Sequence, residues 1–379
     1  MLPRYVWRFP SGFLVVFTLV TFFFFLGRYQ TTFKGITKKM EMLSEQTQNT
    51  SFTFQSVNTS LQCKENTSVA NIKGFSGLFE HIKDFLKYKH CRNFPIIHDA
   101  PMKCGGSEQS DKIFLLLVIK SSPKFYTRRQ TIRKTWGEER KYEGVQIRLL
   151  FILGVHSDQK ESKKLQQLLS IESKENGDIL QWDFYDTFFN LTLKQVLFFA
   201  WLQQNCPHVN FLLNADDDVF VNSDAVVQYL LSLNGNKGDK HLFVGQLVTV
   251  VFLETRKSSK YYVPEQVTSR RRFPPYCAGG GYLLSAFTAR HIHKASLNVA
   301  FIPIDDIYIG MCLDWAGLKP ELHVGIQTGD QKVPSNFQNS FDPCYYKELL
   351  VFHRFTPYEI FVMWKAIHDP DTKCGFSPK

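Results

Sequence analysis

The chain has no Cys-x-x-Cys pair, no G-x-G-x-x-G run and no internal repeat. Paired-cysteine zinc ribbons, a Rossmann dinucleotide turn and a solenoid are thereby set aside. A basic stripe with interleaved aromatics is also missing. The formal net charge is +10, but +6 of it falls in residues 1–110 and only +4 in the remaining 269. That distribution argues against nucleic acid as a partner. Core material is plentiful, with 44% hydrophobic residues and 35 Phe, and 379 residues suffice for one large domain or two ordinary ones.

Charge is absent altogether from Phe9 to Gly27. Nineteen uncharged residues rising 1.5 Å each span about 28 Å, close to the hydrocarbon core of a thin bilayer. Gly27-Arg28-Tyr29-Gln30 offers no small-x-small cleavage site, so the reading is a retained anchor rather than a signal peptide. Basic residues on both flanks leave the positive-inside rule undecided. The sequons at Asn49, Asn58 and Asn66 crowd one Ser/Thr/Asn-rich stretch, and a fourth follows at Asn190. Glycans are attached on the lumenal side, so the carboxyl-terminal bulk is expected there. Eight cysteines without metal spacing favour disulfides in an oxidising lumen, with the pairing open. The expected organisation is a cytosolic tail (1–8), an anchor (9–27), a glycosylated stalk (28–108) and a catalytic domain (109–379).

Within that domain, Ile113–Ile119 reads as a strand buried on both faces. Further strands are expected at Ile147–Leu153, Ile179–Phe184, Val209–Leu213 and Leu242–Val244. Helical stretches lie near Lys124–Trp136, Gln159–Leu169, Leu191–Gln204 and Ser223–Leu233. The alternation implies an α/β domain with a mixed, mainly parallel sheet flanked by helices, where ligands bind beyond the carboxyl ends of strands.

Acidic residues form two conspicuous groups. Asp216-Asp217-Asp218 follows the apolar Phe211-Leu212-Leu213 and precedes Val219-Phe220-Val221, a strand–loop–strand junction. Phe220 and Val221 occupy the places where an EF-hand needs Asp/Asn and Gly, so no calcium loop is present. Oxygen-rich clusters suit hard divalent cations, which bridge proteins to diphosphates. Asp305-Asp306 lies inside an apolar segment, where one acid is available to cap a helix over Ile307–Trp315 and the other to serve as a general base. Ser121-Ser122-Pro123 reads as a capped helix start leading to Arg128, Arg129 and Arg133, forks suited to a pyrophosphate. Gly279-Gly280-Gly281 reads by default as a turn, and His353 ends the apolar run Leu349–Phe352.

Together, Arg128–Gly137, Asp183–Lys194, Asp216–Asn222, Tyr276–Tyr282 and Ile304–Cys312 resemble the motif set of the inverting β-1,3-glycosyltransferases, in the expected order across nearly all of 111–379. Asp305-Asp306 followed by Gly310-Met311-Cys312 is similar to the N-acetylglucosaminyltransferase branch, where galactosyltransferase relatives more often carry Glu-Asp. The tail Ser340–Tyr346 with His353-Arg354-Phe355 is most similar to a member that extends core 1 O-glycans. The resemblance implies a glycosyltransferase-A fold in a Golgi type II membrane protein. It implies transfer of N-acetylglucosamine from UDP-GlcNAc, with Mn²⁺, to the 3-hydroxyl of terminal galactose on core 1 O-glycans or poly-N-acetyllactosamine. Galactose transfer from UDP-galactose, or an inactive lumenal lectin or chaperone, are the alternatives. Asp306 would be the base and Asp305 its supporting neighbour. Asp218 and His353 would hold the metal. Arg129, Arg133, Lys194, Asp216, Asp217, Gly280 and Gly281 would lie near the donor. Homo-oligomers, or hetero-oligomers with other glycosyltransferases, are compatible with it. Ala278 stands before three glycines where some relatives carry four.

Overall fold

Strand β2 (Ile113–Lys120) is the axis of the protein, and its burial explains the architecture. Its odd and even side chains enter two different cores. Leu116 and Val118 join Leu150, Ile152, Leu212 and Leu284 in one apolar cluster. Leu115, Leu117 and Ile119 join Leu149, Phe151 and Leu213 in the other. A strand with both faces covered needs no polar alternation, which is why it reads as an unbroken apolar run. The structure is a computed structural model that describes residues 63–249, 254, 256–329 and 341–374. The expected tail, anchor, Asn49 and Asn58 lie outside these residues. Among the described residues no helix is long and apolar enough to cross a membrane.

In chain order, helix α1 (Glu80–Tyr88) and strand β1 (Ile96–His98) precede β2. Helix α2 (Tyr126–Arg133), the hairpin β3 (Lys141–Tyr142) and β4 (Val145–Val155), and helix α3 (Gln159–Asn176) follow. Then come β5 (Ile179–Tyr185), α4 (Leu191–Asn205), β6 (Phe211–Asp216), β7 (Val219–Val221) and α5 (Ser223–Ser232). The remainder is β8 (Phe243–Val248), β9 (Tyr276–Ser285), α6 (Ala286–Ser296), α7 (Asp305–Trp315), β10 (Glu321–Leu322), β11 (Ile326–Gln327), the short α8 (Pro343–Lys347), β12 (Val351–His353) and α9 (Pro357–Ile367).

The main sheet has the order β1-β5-β4-β2-β6-β9-β8-β10, with β3 paired to β4. Its centre, β5-β4-β2-β6, is parallel. Antiparallel β9 then reverses direction beside β6. A small second sheet joins β11, β12 and β7. Helices α4, α6 and α7 cover one face of the main sheet, through residues such as Phe198, Ile292 and Tyr308. Helices α2, α3, α5 and α9 cover the other through Ile132, Leu169, Val226 and Ile360. This is the expected mixed α/β sheet flanked by helices.

Three local readings change. The Gly279-Gly280-Gly281 run is the middle of strand β9, not a turn. Helix α2 starts at Tyr126 without a side-chain cap: the Ser122 carbonyl accepts from the Phe125 N–H and from Arg129, and the Ser121 hydroxyl donates to Asp217. The third concerns the stalk. The described residues, from Cys63 onward, form one compact unit. β1 pairs with the β5 edge, Ile82, Phe85 and Leu86 of α1 enter the core, and disulfide Cys104–Cys206 ties the segment to the end of α4. Residues 63–108 therefore complete the globular domain, through apolar contacts that a polar, sequon-rich composition concealed. Cys63–Cys91 and Cys344–Cys374 are also bonded, while Cys277 and Cys312 are buried free thiols.

Candidate active site

The parallel register brings charge to one end of the sheet. Lys120 and Asp216, the last residues of β2 and β6, are paired neighbours in that register. The Lys120 Nζ lies 2.9 Å from Asp216 Oδ1 and 3.2 Å from Asp305 Oδ2, and donates to the Gly279 carbonyl at 2.7 Å. Burying an ammonium is costly unless it is paired, and three oxygens satisfy this one. Burial opposes its charge, but Asp216 and Asp305 overcome that and hold the amine firmly protonated.

The chain turns sharply after Asp216. Asp217 is buried, accepting from the Ser121 hydroxyl at 2.7 Å and from Arg128 at 2.6 Å. Burial pushes its carboxyl up against the pull of both donors. Asp218 points outward, with Oδ1 3.2 Å from His353 Nε2 and Oδ2 3.5 Å from Arg128. Burial works against its ionisation, but His353, Arg128 and Arg354 hold it below the ordinary range. His353 reaches this point because β12 pairs antiparallel with β7, setting it beside Val219. One ligand atom each from Asp216, Asp218 and His353 lies within 4.8 Å of the others. Two carboxylates and an imidazole in that space fit a Mn²⁺-type divalent ion.

Asp305 and Asp306 open helix α7, where the helix dipole favours carboxylates. Neither caps the helix by side chain at its N-cap position; Ile304 is that residue. Asp305 is buried against Lys120. Asp306 is partly exposed to the cavity and accepts the Ile307 N–H at 2.8 Å. Burial and then the Asp305 charge push its carboxyl well above the ordinary range, against the pull of Lys120. Close packing of α7 on β9 requires glycine. At Gly310 a Cβ would lie 2.7 Å from the Tyr276 Cβ, whereas one on Gly279 would only reach ordinary contact with the Asp306 Cβ at 3.4 Å.

Asp216, Asp218, Asp306 and His353 line one cavity of ≈ 690 Å³, bordered by Phe188, Glu254, Lys260, Tyr261, Tyr276 and Thr328. A second, of ≈ 290 Å³, is bounded by Ser121, Arg128, Lys194 and Asp217 and shares Lys120, Phe188, Asp216 and Asp218 with the first. Carboxylates from two distant stretches of chain thus face one space.

The family model described as Galactosyltransferase matches residues 127–323, and these contain both acidic groups. The chain belongs to the galactosyltransferase family. Human N-acetyllactosaminide β-1,3-N-acetylglucosaminyltransferase 3 is 49% identical over 313 residues, 83% of this chain and 82% of that one. Human acetylgalactosaminyl-O-glycosyl-glycoprotein β-1,3-N-acetylglucosaminyltransferase is 46% identical over 314 residues, 82% and 80% of the two chains. Rat UDP-GlcNAc:βGal β-1,3-N-acetylglucosaminyltransferase 7 is 40% identical over 310 residues, 81% and 76%.

In this family member the sequence-expected residues divide. Asp216, Asp217, Asp218, Asp305, Asp306 and His353 converge, and Gly280 lines the larger cavity. Gly281 lies one residue deeper, against Val351. Lys194 borders the smaller cavity, but its ammonium is held by Asp186 at 2.7 Å and the Ser121 carbonyl at 2.7 Å. Arg129 and Arg133 do not reach either cavity. Arg129 is fully buried on Glu172, and Arg133 binds Glu172 and Asp178. The fork that does reach the acids is Arg128, one residue earlier on the helix. Asn66 is exposed, its Oδ1 accepting from the Ser68 N–H. Asn190 is buried, its amide donating to the Tyr185 carbonyl, while the Thr192 hydroxyl donates to the Ile302 carbonyl. Lys120 was missed. Its signal was available: one charge closing an otherwise apolar strand.

Proposed function

We propose that the protein transfers N-acetylglucosamine from UDP-GlcNAc to the 3-hydroxyl of a terminal β-galactose, with inversion, in a glycosyltransferase-A fold. The observation that carries this reading is Asp306. It is a carboxyl with a raised proton affinity, open to the same cavity as the Asp216–Asp218–His353 cluster, in a chain whose relatives are named as β-1,3-N-acetylglucosaminyltransferases. Asp306 takes the proton of the acceptor hydroxyl as that oxygen bonds to the anomeric carbon. The anomeric carbon–oxygen bond to the diphosphate breaks on the opposite face, and UDP departs. A base whose proton affinity lies closer to the working pH is more effective. Lys120 and Asp305 hold Asp306 and the Gly279 backbone in place. Asp216 and Asp217 flank the donor, with Arg128 beside them.

Asp218 and His353, with Asp216, would hold a Mn²⁺ ion, whose charge stabilises the departing diphosphate when bound. Three disulfides support a lumenal, oxidising location. A Golgi type II protein held by residues 9–27 is the topology consistent with them. The relative named for acetylgalactosaminyl-O-glycosyl-glycoproteins supports core 1 O-glycans as an acceptor, and the N-acetyllactosaminide relative supports chain extension.

Donor and acceptor screening of the full-length protein with linkage analysis of the product tests this. The expected product is GlcNAcβ1-3Gal from UDP-GlcNAc. Faster transfer from UDP-galactose, or a linkage other than β-1,3, would overturn it.

A further inference from the structure

A third cavity, of ≈ 420 Å³, adjoins the catalytic one, and Phe188 and Lys260 line both. Its other walls come from Phe79 and His81 at the start of α1 and from Phe189, Lys257 and Tyr262. The aromatic surface is continuous. Phe79 stacks on His81 at 5.5 Å, His81 lies 4.2 Å from Phe189, Phe189 meets Phe188 edge-on at 5.7 Å, and Phe188 meets Tyr261 at 5.6 Å. Phe79 is 48% exposed and Tyr261 47%. Phe188 is half-buried and Phe189 buried between them, so the rings form one aromatic wall open at both ends, and exposed apolar surface beside a cavity marks a binding groove. Lys260 Nζ lies over the Phe188 and Tyr261 rings at 5.5 and 4.7 Å. Among the described residues no carboxylate pairs with Lys257 or Lys260.

We propose that this groove binds the interior sugars of the acceptor glycan, those beyond the galactose that receives the new residue. The inference rests on the acceptor reading above. The negative ring faces suit the polarised C–H face of a pyranose, and the two ammonium groups suit its hydroxyls or an acidic substituent. The volume is within the range of small-ligand sites, about 300–1,000 Å³. Continuity with the catalytic cavity identifies the occupant as part of the same substrate. A segment that the sequence assigned to the stalk would then help select the acceptor.

The test compares a Galβ-terminated disaccharide with a tetrasaccharide of the same terminus, using full-length protein. Phe79→Ala and, separately, Lys257→Ala alter residues outside the catalytic cavity. Each is expected to raise KM for the tetrasaccharide at least fivefold, with kcat, the KM for UDP-GlcNAc and disaccharide kinetics within twofold of wild type. A KM change equal for both acceptors, or none for either variant, overturns the inference. Wild-type protein inactive on every galactoside defeats the functional reading and the inference with it. A Lys257 effect confined to sulfated or carboxylated tetrasaccharides assigns the groove to acidic chains; an equal effect on neutral ones assigns it to hydroxyl contacts.

Discussion

Two clusters of buried charge flank β2 and differ in their balance. Away from the cavities, Arg129 and Arg133 face Glu172 and Asp178, two guanidiniums against two carboxylates, with contacts of 2.6–2.7 Å. At the cavity, Asp216, Asp217, Asp218, Asp305 and Asp306 face Lys120, Arg128 and Arg354. The first set is closed and self-neutralising. The second carries surplus negative charge, which a protein retains where a cation, a proton or a substrate completes it. The same residue types serve as cement in one place and as chemistry in the other, and the surplus tells them apart.

Substitutions should separate the two. Asp306→Asn is expected to lower kcat by about 10²–10⁴-fold, the usual contribution of a general base, while calorimetry shows UDP binding retained. Turnover within tenfold of wild type would remove Asp306 from that role. Glu172→Ala leaves two guanidiniums short of a partner in the closed cluster. It should cost about 3–5 kcal/mol of stability by denaturant titration, with kcat per folded molecule nearly unchanged. A large kcat loss there at unchanged stability would erase the difference between the two clusters. Asp218→Ala removes a direct ligand and should weaken Mn²⁺-dependent UDP binding by at least the ~10–100-fold that loss of an outer-shell partner costs, and unchanged affinity would argue against a metal role.

The smallest effect is on pH. Asp306 must be ionised to act, so kcat/KM should fall as pH drops through its raised pKa. Asp305→Asn removes the neighbouring charge and should move that acid limb to lower pH. An unmoved limb would show that burial alone sets it. The stability linkages have opposite signs. Asp306, raised in the fold, favours the native state below its unfolded pKa and loses that contribution as pH rises through the folded one. Asp218, lowered by His353 and Arg128, contributes above its unfolded pKa and loses it as pH falls through the folded one.

Sequence revealed the parallel centre because doubly buried strands leave unbroken apolar runs, and it revealed the acids because three in a row after such a run are unusual. It hid β9, since Gly279-Gly280-Gly281 reads as a turn until Thr328 and Val351, each 3.0 Å from where a Cβ on Gly280 or Gly281 would stand, show why side chains are crowded out there. It mistook Arg129 and Arg133 for donor contacts, because one helix presents Arg128 to the cavity and Arg129 to the core, a difference of one position. It drew the stalk boundary at 108, because the apolar contacts of α1 and β1 are few and lie among polar neighbours.

That boundary has a practical consequence for producing the protein. A recombinant fragment beginning at residue 109 would strip β1 from β5, leaving a bare sheet edge that invites chain-to-chain pairing. It would also deprive Cys206 of Cys104, leaving an odd thiol free to cross-link in an oxidising medium. Fragments intended for secretion should begin ahead of Cys63.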